Sequence, residues 1–145
     1  MTALDTLTEN GLSLGIELPL DNDLARRDVS GQGLFPDLTR HQERAQLADR
    51  LGFRALWLRD VPMWRPRDFG DAGQVFDPIP YLGYLAASTE HILLGTAGIV
   101  LPLRHPVALA KEAATVDVLS GGRLLLGLAS GDRPGEYPFL SLIHI

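Results

Sequence analysis

Short apolar runs alternate with longer amphipathic stretches along the chain, and proline, glycine or an acidic cap marks most changes of pattern. LSLGIEL (residues 12–18) reads as a first strand, ended by Pro19, and the polar, glycine-bearing residues 20–35 read as a loop. A helix is predicted over residues 36–51. Leu38, Ala45, Ala48 and Leu51 lie near one face of it, and Gly52 is placed to end it in a left-handed cap. ALWLRD (residues 55–60) reads as a second strand, apolar until its charged end. The connection that follows, residues 61–76, is long against the usual strand-to-helix link of about two to six residues. Asp77 and Pro78 then supply an N-cap and a proline at the first helical position. That helix carries Tyr81, Leu82, Leu85 and Ala86 and ends near Thr89. HILLGTAGIVL (residues 91–101) reads as a third strand. Pro106 opens a third helix with Val107, Ala110, Ala114 and Val118 at spacings of three and four, and LSGGR (residues 119–123) is its stop signal and a tight turn. LLLGLAS (residues 124–130) reads as a fourth strand.

The order is therefore β-α-β-α-β-α-β, an α/β class. The later strands are continuous apolar runs, as in parallel sheets whose faces are both covered. Two architectures remain open on the pattern alone: a doubly wound open sheet, or part of an eight-stranded barrel. In both, ligands bind at the carboxyl ends of the strands.

Composition narrows the chemistry. The 145 residues are 46% hydrophobic and 21% charged, which is globular. No apolar run is long enough to span a membrane, and MTALDTLTEN lacks the basic start and apolar core of a secretory signal. Residues 1–11 are expected to be a disordered tail and the protein cytoplasmic. There is no cysteine, so neither a disulfide framework nor a thiolate metal site is possible. The net charge of −5 without a basic patch argues against nucleic acid as a partner. His41, His91, His105 and His144 are scattered without metal-ligand spacing, so no metal site is expected.

Arg59 and Asp60 stand at the mouth of the second strand. A carboxylate there could accept a hydrogen bond from a ligand or act as a base; an ion pair or a cap on the next loop is the simpler reading. SGDRPG after the fourth strand offers backbone N–H groups to an anion, or is a plain turn. His105 suits a helix N-cap or a solvent position better than catalysis. Gly95 and Gly98 are unexpected in a well-packed strand, because glycine packs nothing there. Either the strand is bulged, or something flat lies against its backbone.

The run GTAGIVLPLRHPVALAKEAATVDVLSGGRLLLGLASGD resembles the bacterial luciferase-like flavin monooxygenase superfamily: an LGT strand, a Leu-Pro-x-x-His-Pro helix start, a Leu-Ser-x-Gly-Arg turn and a glycine loop after the fourth strand. The likeness extends from about residue 12 to 136, with LWLRDVP, FDP and ASGDRP in order. It implies the first half of a parallel (β/α)8 barrel, about four strands and three helices. It also implies a third strand ending in a bulge with a non-proline cis peptide, matching Ala97–Gly98, against which the flavin ring packs. Thr96, Ala97 and Gly98 would then line the ring, and Ala129, Ser130 and Gly131 would lie near the ring or its ribityl-phosphate tail. The implied cofactor is reduced FMN, which activates O2 for attack on a small organic substrate; some relatives use a deazaflavin for hydride transfer. Asp60 matches the family's acidic residue at the end of strand two. Many members follow it with a catalytic histidine where this chain has Val61, so Arg59 becomes the substitute candidate.

A complete barrel of this kind needs roughly 250 residues, so the chain is expected to be a fragment, inactive alone and homo-oligomeric when full length. Residues 12–138 would be the family portion and FLSLIHI (residues 139–145) a tail foreign to it. A non-catalytic flavin-binding module, or a fragment that only associates through its edges, is the competing reading.

Overall fold

The computed structural model describes residues 2–8, 11–18, 40–62, 76–132 and 138. The polar loop at 20–35, most of the connection at 61–76 and the tail at 139–145 lie outside the described residues.

Four parallel strands form the main sheet in chain order: β1 (Gly15–Leu18), β2 (Ala55–Leu58), β3 (Leu93–Thr96) and β5 (Leu124–Leu125). Three helices cross between them: α2 (His41–Arg50), α3 (Pro78–Ser88) and α4 (Pro106–Leu119). The register places Ile16, Leu56, Leu94 and Leu124 in one row, with Leu18, Leu58 and Thr96 in the next row on the same face. That face meets Ala45 and Ala48 of α2, Tyr81, Leu82, Leu85 and Ala86 of α3, and Val116 of α4 in one buried core. All three crossover helices thus cover a single face, and neighbouring strands follow chain order with no reversal. A doubly wound sheet divides its helices between both faces; a barrel wall keeps them outside. The described residues are four strands of such a wall, and the row Gly15, Ala55, Leu93 belongs to its inner side together with Glu17, Trp57, Gly95 and Leu125.

The helix signals act as read. Asp77 caps α3 by accepting the Ile79 N–H at 3.0 Å, and α3 stops at Thr89. Gly52, at φ 78°, closes α2: its N–H reaches the Asp49 carbonyl and the Phe53 N–H reaches that of Ala48, the paired bonds of a Schellman ending. His105 caps α4.

Four expectations need correction. The amino-terminal segment is not a disordered tail: Ala3–Thr8 form a short helix, α1, and Ala3 is buried with Ala55 and Leu93 on the inner side of the sheet, flanked by Leu7, Trp57 and Leu125. Helix α4 does not bury Val107, Ala110, Ala114 and Val118, which are exposed; it buries Leu109, Ala113 and Val116. Apolar residues occur on both sides of that helix, so spacing alone selects either stripe. Leu51, at the end of α2, is likewise exposed, and His41, at the start of that helix, is buried. Finally, the third and fourth strands are not continuous. Each breaks and resumes as a second, short parallel pair, β4 (Ile99–Val100) with β6 (Leu128–Ala129).

At the end of the sheet where the strands begin, two side chains join the layers. The Asp49 carboxylate, near the end of α2, accepts the N–H groups of Glu90, His91 and Ile92 at 2.6, 3.2 and 2.9 Å, fixing the entry to β3. Arg123 reaches under α3 and donates to the carbonyls of Ala86, Thr89, Ile92 and Ser120 and to the Thr89 hydroxyl. Burial lowers its pKa, and the charge of Asp49 works against that.

Candidate functional site

The opposite end of the sheet, where the strands finish, gathers most of the residues singled out above. The break in the third strand centres on Ala97 and Gly98. The Ala97 N–H is held by the Leu58 carbonyl at 2.7 Å and the Ile99 N–H by the Gly127 carbonyl at 2.9 Å. Between them Gly98 takes φ 112°, a backbone region that side chains disfavour. A Cβ at Gly98 would come within 3.0 Å of the Ala129 Cβ. Ala97 is exposed and Gly98 half-buried. The result is a narrow shelf of nearly bare backbone with Ala129 against it, and Ser130 and Gly131 following directly in the chain. Of the residues expected to hold a cofactor, Ala97, Gly98 and Ala129 lie together here.

Thr96 does not join them as a ring-lining side chain. It is buried on the helix-facing side, where its hydroxyl donates to the Gly127 carbonyl and accepts the Gly127 N–H, both at 2.9 Å. Thr96 is a clasp between the two broken strands. Gly127 fits it closely, since a Cβ there would run into the Thr96 carbonyl oxygen.

Gly95 has a different cause. On the inner side of the wall the indole of Trp57 lies across the backbone of both neighbouring strands. A Cβ at Gly95 would overlap its six-membered ring, and one at Gly15 would come within 2.5 Å of its Nε1. Something flat does lie against Gly95, and it is the protein's own tryptophan.

Asp60 and Arg59 diverge. Asp60 is buried, and its carboxylate is fully engaged: Oδ2 accepts the Val100 N–H at 2.9 Å and Arg104 Nε at 3.1 Å, and Oδ1 accepts Arg104 Nη2 at 2.7 Å. Arg104 Nη2 also donates to Asp77 Oδ2 at 3.0 Å. Burial works against the charge on Arg104, but the hydrogen bond and charge of Asp60, then those of Asp77, outweigh it and raise its pKa. The geometry at Asp60 has the simpler reading, an ion pair and a cap on the following segment. Arg59, half-buried, instead donates Nη2 to Glu17 Oε2 at 3.0 Å, and Glu17 shares the inner row with Trp57. Val61, which follows Asp60, is buried.

Beside this end, a cavity of about 590 Å³ opens between the starts of α2 and α3, lined by His41, Phe76, Asp77, Tyr81 and Tyr84 among others. His41 Nδ1 hydrogen-bonds to the Tyr81 hydroxyl, and Phe76 packs against both rings at centroid distances of 5.0 Å. Burial, then the neighbouring Tyr84, pushes the Tyr81 phenol above its ordinary range.

Sequence reasoning missed Arg104, Glu17 and Trp57. Arg104 and Glu17 had one signal, their place in the segments at the carboxyl ends of strands; Trp57 had none beyond strand membership. Among the described residues no group of metal-ligating side chains converges, and no helix is long and apolar enough to cross a membrane.

At Gly98 the positive φ and the close Ala129 Cβ exclude a side chain, and beside it the small, exposed Ala97 leaves backbone open to close approach. The family profile described as luciferase-like monooxygenase matches residues 14–142, which carries the likeness into the segment expected to be foreign to it. The chain is 40% identical over 97 residues to the oxygenase component of the flavin-dependent trigonelline monooxygenase of Acinetobacter baylyi, covering 66% of this chain and 25% of that protein. It is 38% identical over 94 residues to an F420-dependent glucose-6-phosphate dehydrogenase of Beutenbergia cavernae, covering 63% of this chain and 27% of that protein. The crystal structure of a monooxygenase from Streptomyces bottropensis superposes with a TM-score of 0.70 at 26% identity, over 92% of this chain and 37% of that one. The chain spans about a quarter to a third of the length of the curated relatives it matches.

Proposed function

Because the chain belongs to the luciferase-like monooxygenase family, we propose that it supplies the ring-binding wall of a flavin-dependent oxidoreductase that uses reduced FMN and O2 to oxygenate a small organic substrate. The observation that carries this reading is the shelf at Ala97–Gly98, closed on one side by Ala129. Reduced flavin, when bound, supplies the electrons that activate oxygen. The chain's own residues bind and orient the ring: Ala97 and Gly98 give it backbone to rest on, Ala129 borders it, and Ser130 and Gly131 lie toward its tail.

Arg59, held by its ion pair with Glu17 on the inner side of the wall, is the member of the Arg59–Asp60 pair on the substrate side, whereas Asp60 is turned into the structure. Its role is to orient a polar substrate group or stabilise developing negative charge. The F420-dependent relative supports a second reading, hydride transfer through a deazaflavin on the same shelf.

Titration of the purified chain with FMN and with a deazaflavin, followed by flavin fluorescence, tests this. Saturable binding that Gly98→Val abolishes is the expected result. Binding of neither cofactor, or binding indifferent to Gly98→Val, overturns it. Binding without oxygen uptake in the whole protein would identify a non-catalytic flavin-binding module.

A further inference from the structure

We propose that Asp60, Arg104 and Asp77 form a positioning clamp that holds the Ala97–Gly98 shelf at the height a flavin ring needs. The inference rests on the flavin reading given above for its purpose, but its geometry is independent of it. Asp60 leaves the end of β2, and its buried carboxylate takes the Val100 N–H immediately beyond the shelf. The same carboxylate binds Arg104 through two nitrogens, a fork-shaped contact that fixes distance and orientation together. Arg104 closes the short 3-10 turn Leu101–Leu103 that follows the shelf, so the clamp grips the segment at both its amide and its far end. Its remaining contact is Asp77, whose other oxygen caps α3. Strand two, the shelf and the start of α3 are thereby joined by four hydrogen bonds through one guanidinium and one buried carboxylate.

The arrangement gives the acidic residue at the end of strand two a structural task. A carboxylate accepting three hydrogen bonds, two of them from the same guanidinium, is fixed in that place. Asp60 therefore acts through Val100 and Arg104 and is a positioning residue. A clamp of this kind has a signature that general stability lacks: loosening it frees the shelf and leaves the rest of the sheet unchanged.

The test compares Arg104→Gln, which removes the cation, with Arg104→Lys, which keeps it but loses the fork. Amide hydrogen exchange and FMN titration are measured on the whole chain. In Arg104→Gln the Val100 amide is expected to exchange about tenfold faster and the dissociation constant for FMN to rise about tenfold. Amides of Leu56 and Leu94, in the same sheet, should change by less than about twofold. Arg104→Lys should fall between Gln and the wild type in both measurements. Should Arg104→Gln not fold, Asp77→Asn replaces it, with the same pattern at smaller amplitude. Unchanged exchange at Val100, or acceleration spread evenly over the sheet, overturns the clamp. A wild-type chain that binds no flavin overturns the functional reading, and the exchange data then decide separately whether the clamp exists.

Discussion

At the scale of single residues, the inner wall is organised around Trp57. Its indole occupies the space that side chains at positions 15 and 95 would need, so the three residues are one packing unit. Gly95→Ala should destabilise the chain by about 1–3 kcal/mol, because the new methyl must displace a large ring wedged between strands. In a Trp57→Leu background the same substitution should cost well under half as much. Denaturant midpoints for the four combinations measure that coupling, and equal costs in both backgrounds would dissolve the unit. Tyr81 gives a second check. Burial raises its phenol pKa, so the neutral form is the one the fold favours. That contribution is complete below the ordinary phenol value of about 10 and is lost as the pH rises beyond it through the raised folded value. A spectrophotometric titration should therefore find one of the three tyrosines resisting ionisation until the chain unfolds, and Tyr81→Phe should remove that late component.

At the scale of elements, the sequence was most legible where one physical rule acts alone. Asp77-Pro78 could only open a helix, Gly52 could only close one, and the apolar runs announced buried parallel strands. It was least legible where two choices were equally apolar, as on α4, or where a partner comes from far along the chain, as with Trp57 against Gly95. The glycines at 95 and 98 raised one question and have two answers, an indole for the first and a reversed backbone for the second. The joints between elements were invisible for the same reason. Nothing near Asp49 says that its carboxylate will collect three amides from the segment before β3. Asp49→Ala should cost about 1–3 kcal/mol, since it strands backbone donors at a partly buried turn, and Asp49→Asn should recover part of it. Thermal or denaturant unfolding measures both.

At the scale of the whole molecule, four strands of a wall and three outer helices place the shelf, the clamp and Arg59 at one end of the sheet. Among the described residues β1 and β5 have one paired neighbour each, and the chain spans about a quarter to a third of the length of its curated relatives. These 145 residues by themselves should consume little oxygen in the presence of reduced FMN and candidate substrates. Robust, saturable uptake by the purified chain would contradict that. In the whole protein, Arg59→Met should lower kcat/KM by about tenfold or more while leaving flavin affinity within about twofold, as loss of a substrate-orienting charge requires. A parallel fall in flavin affinity would move Arg59 into the cofactor site instead.

Helix α1 has a bearing on how any such enzyme would be entered. It rests on Ala55 and Leu93, the first residues of their strands, and so lies at the foot of the inner wall, away from the shelf. In a closed barrel a helix there would stopper the base. The chamber would then be a cul-de-sac, and whatever entered it would have to leave by the door through which it came.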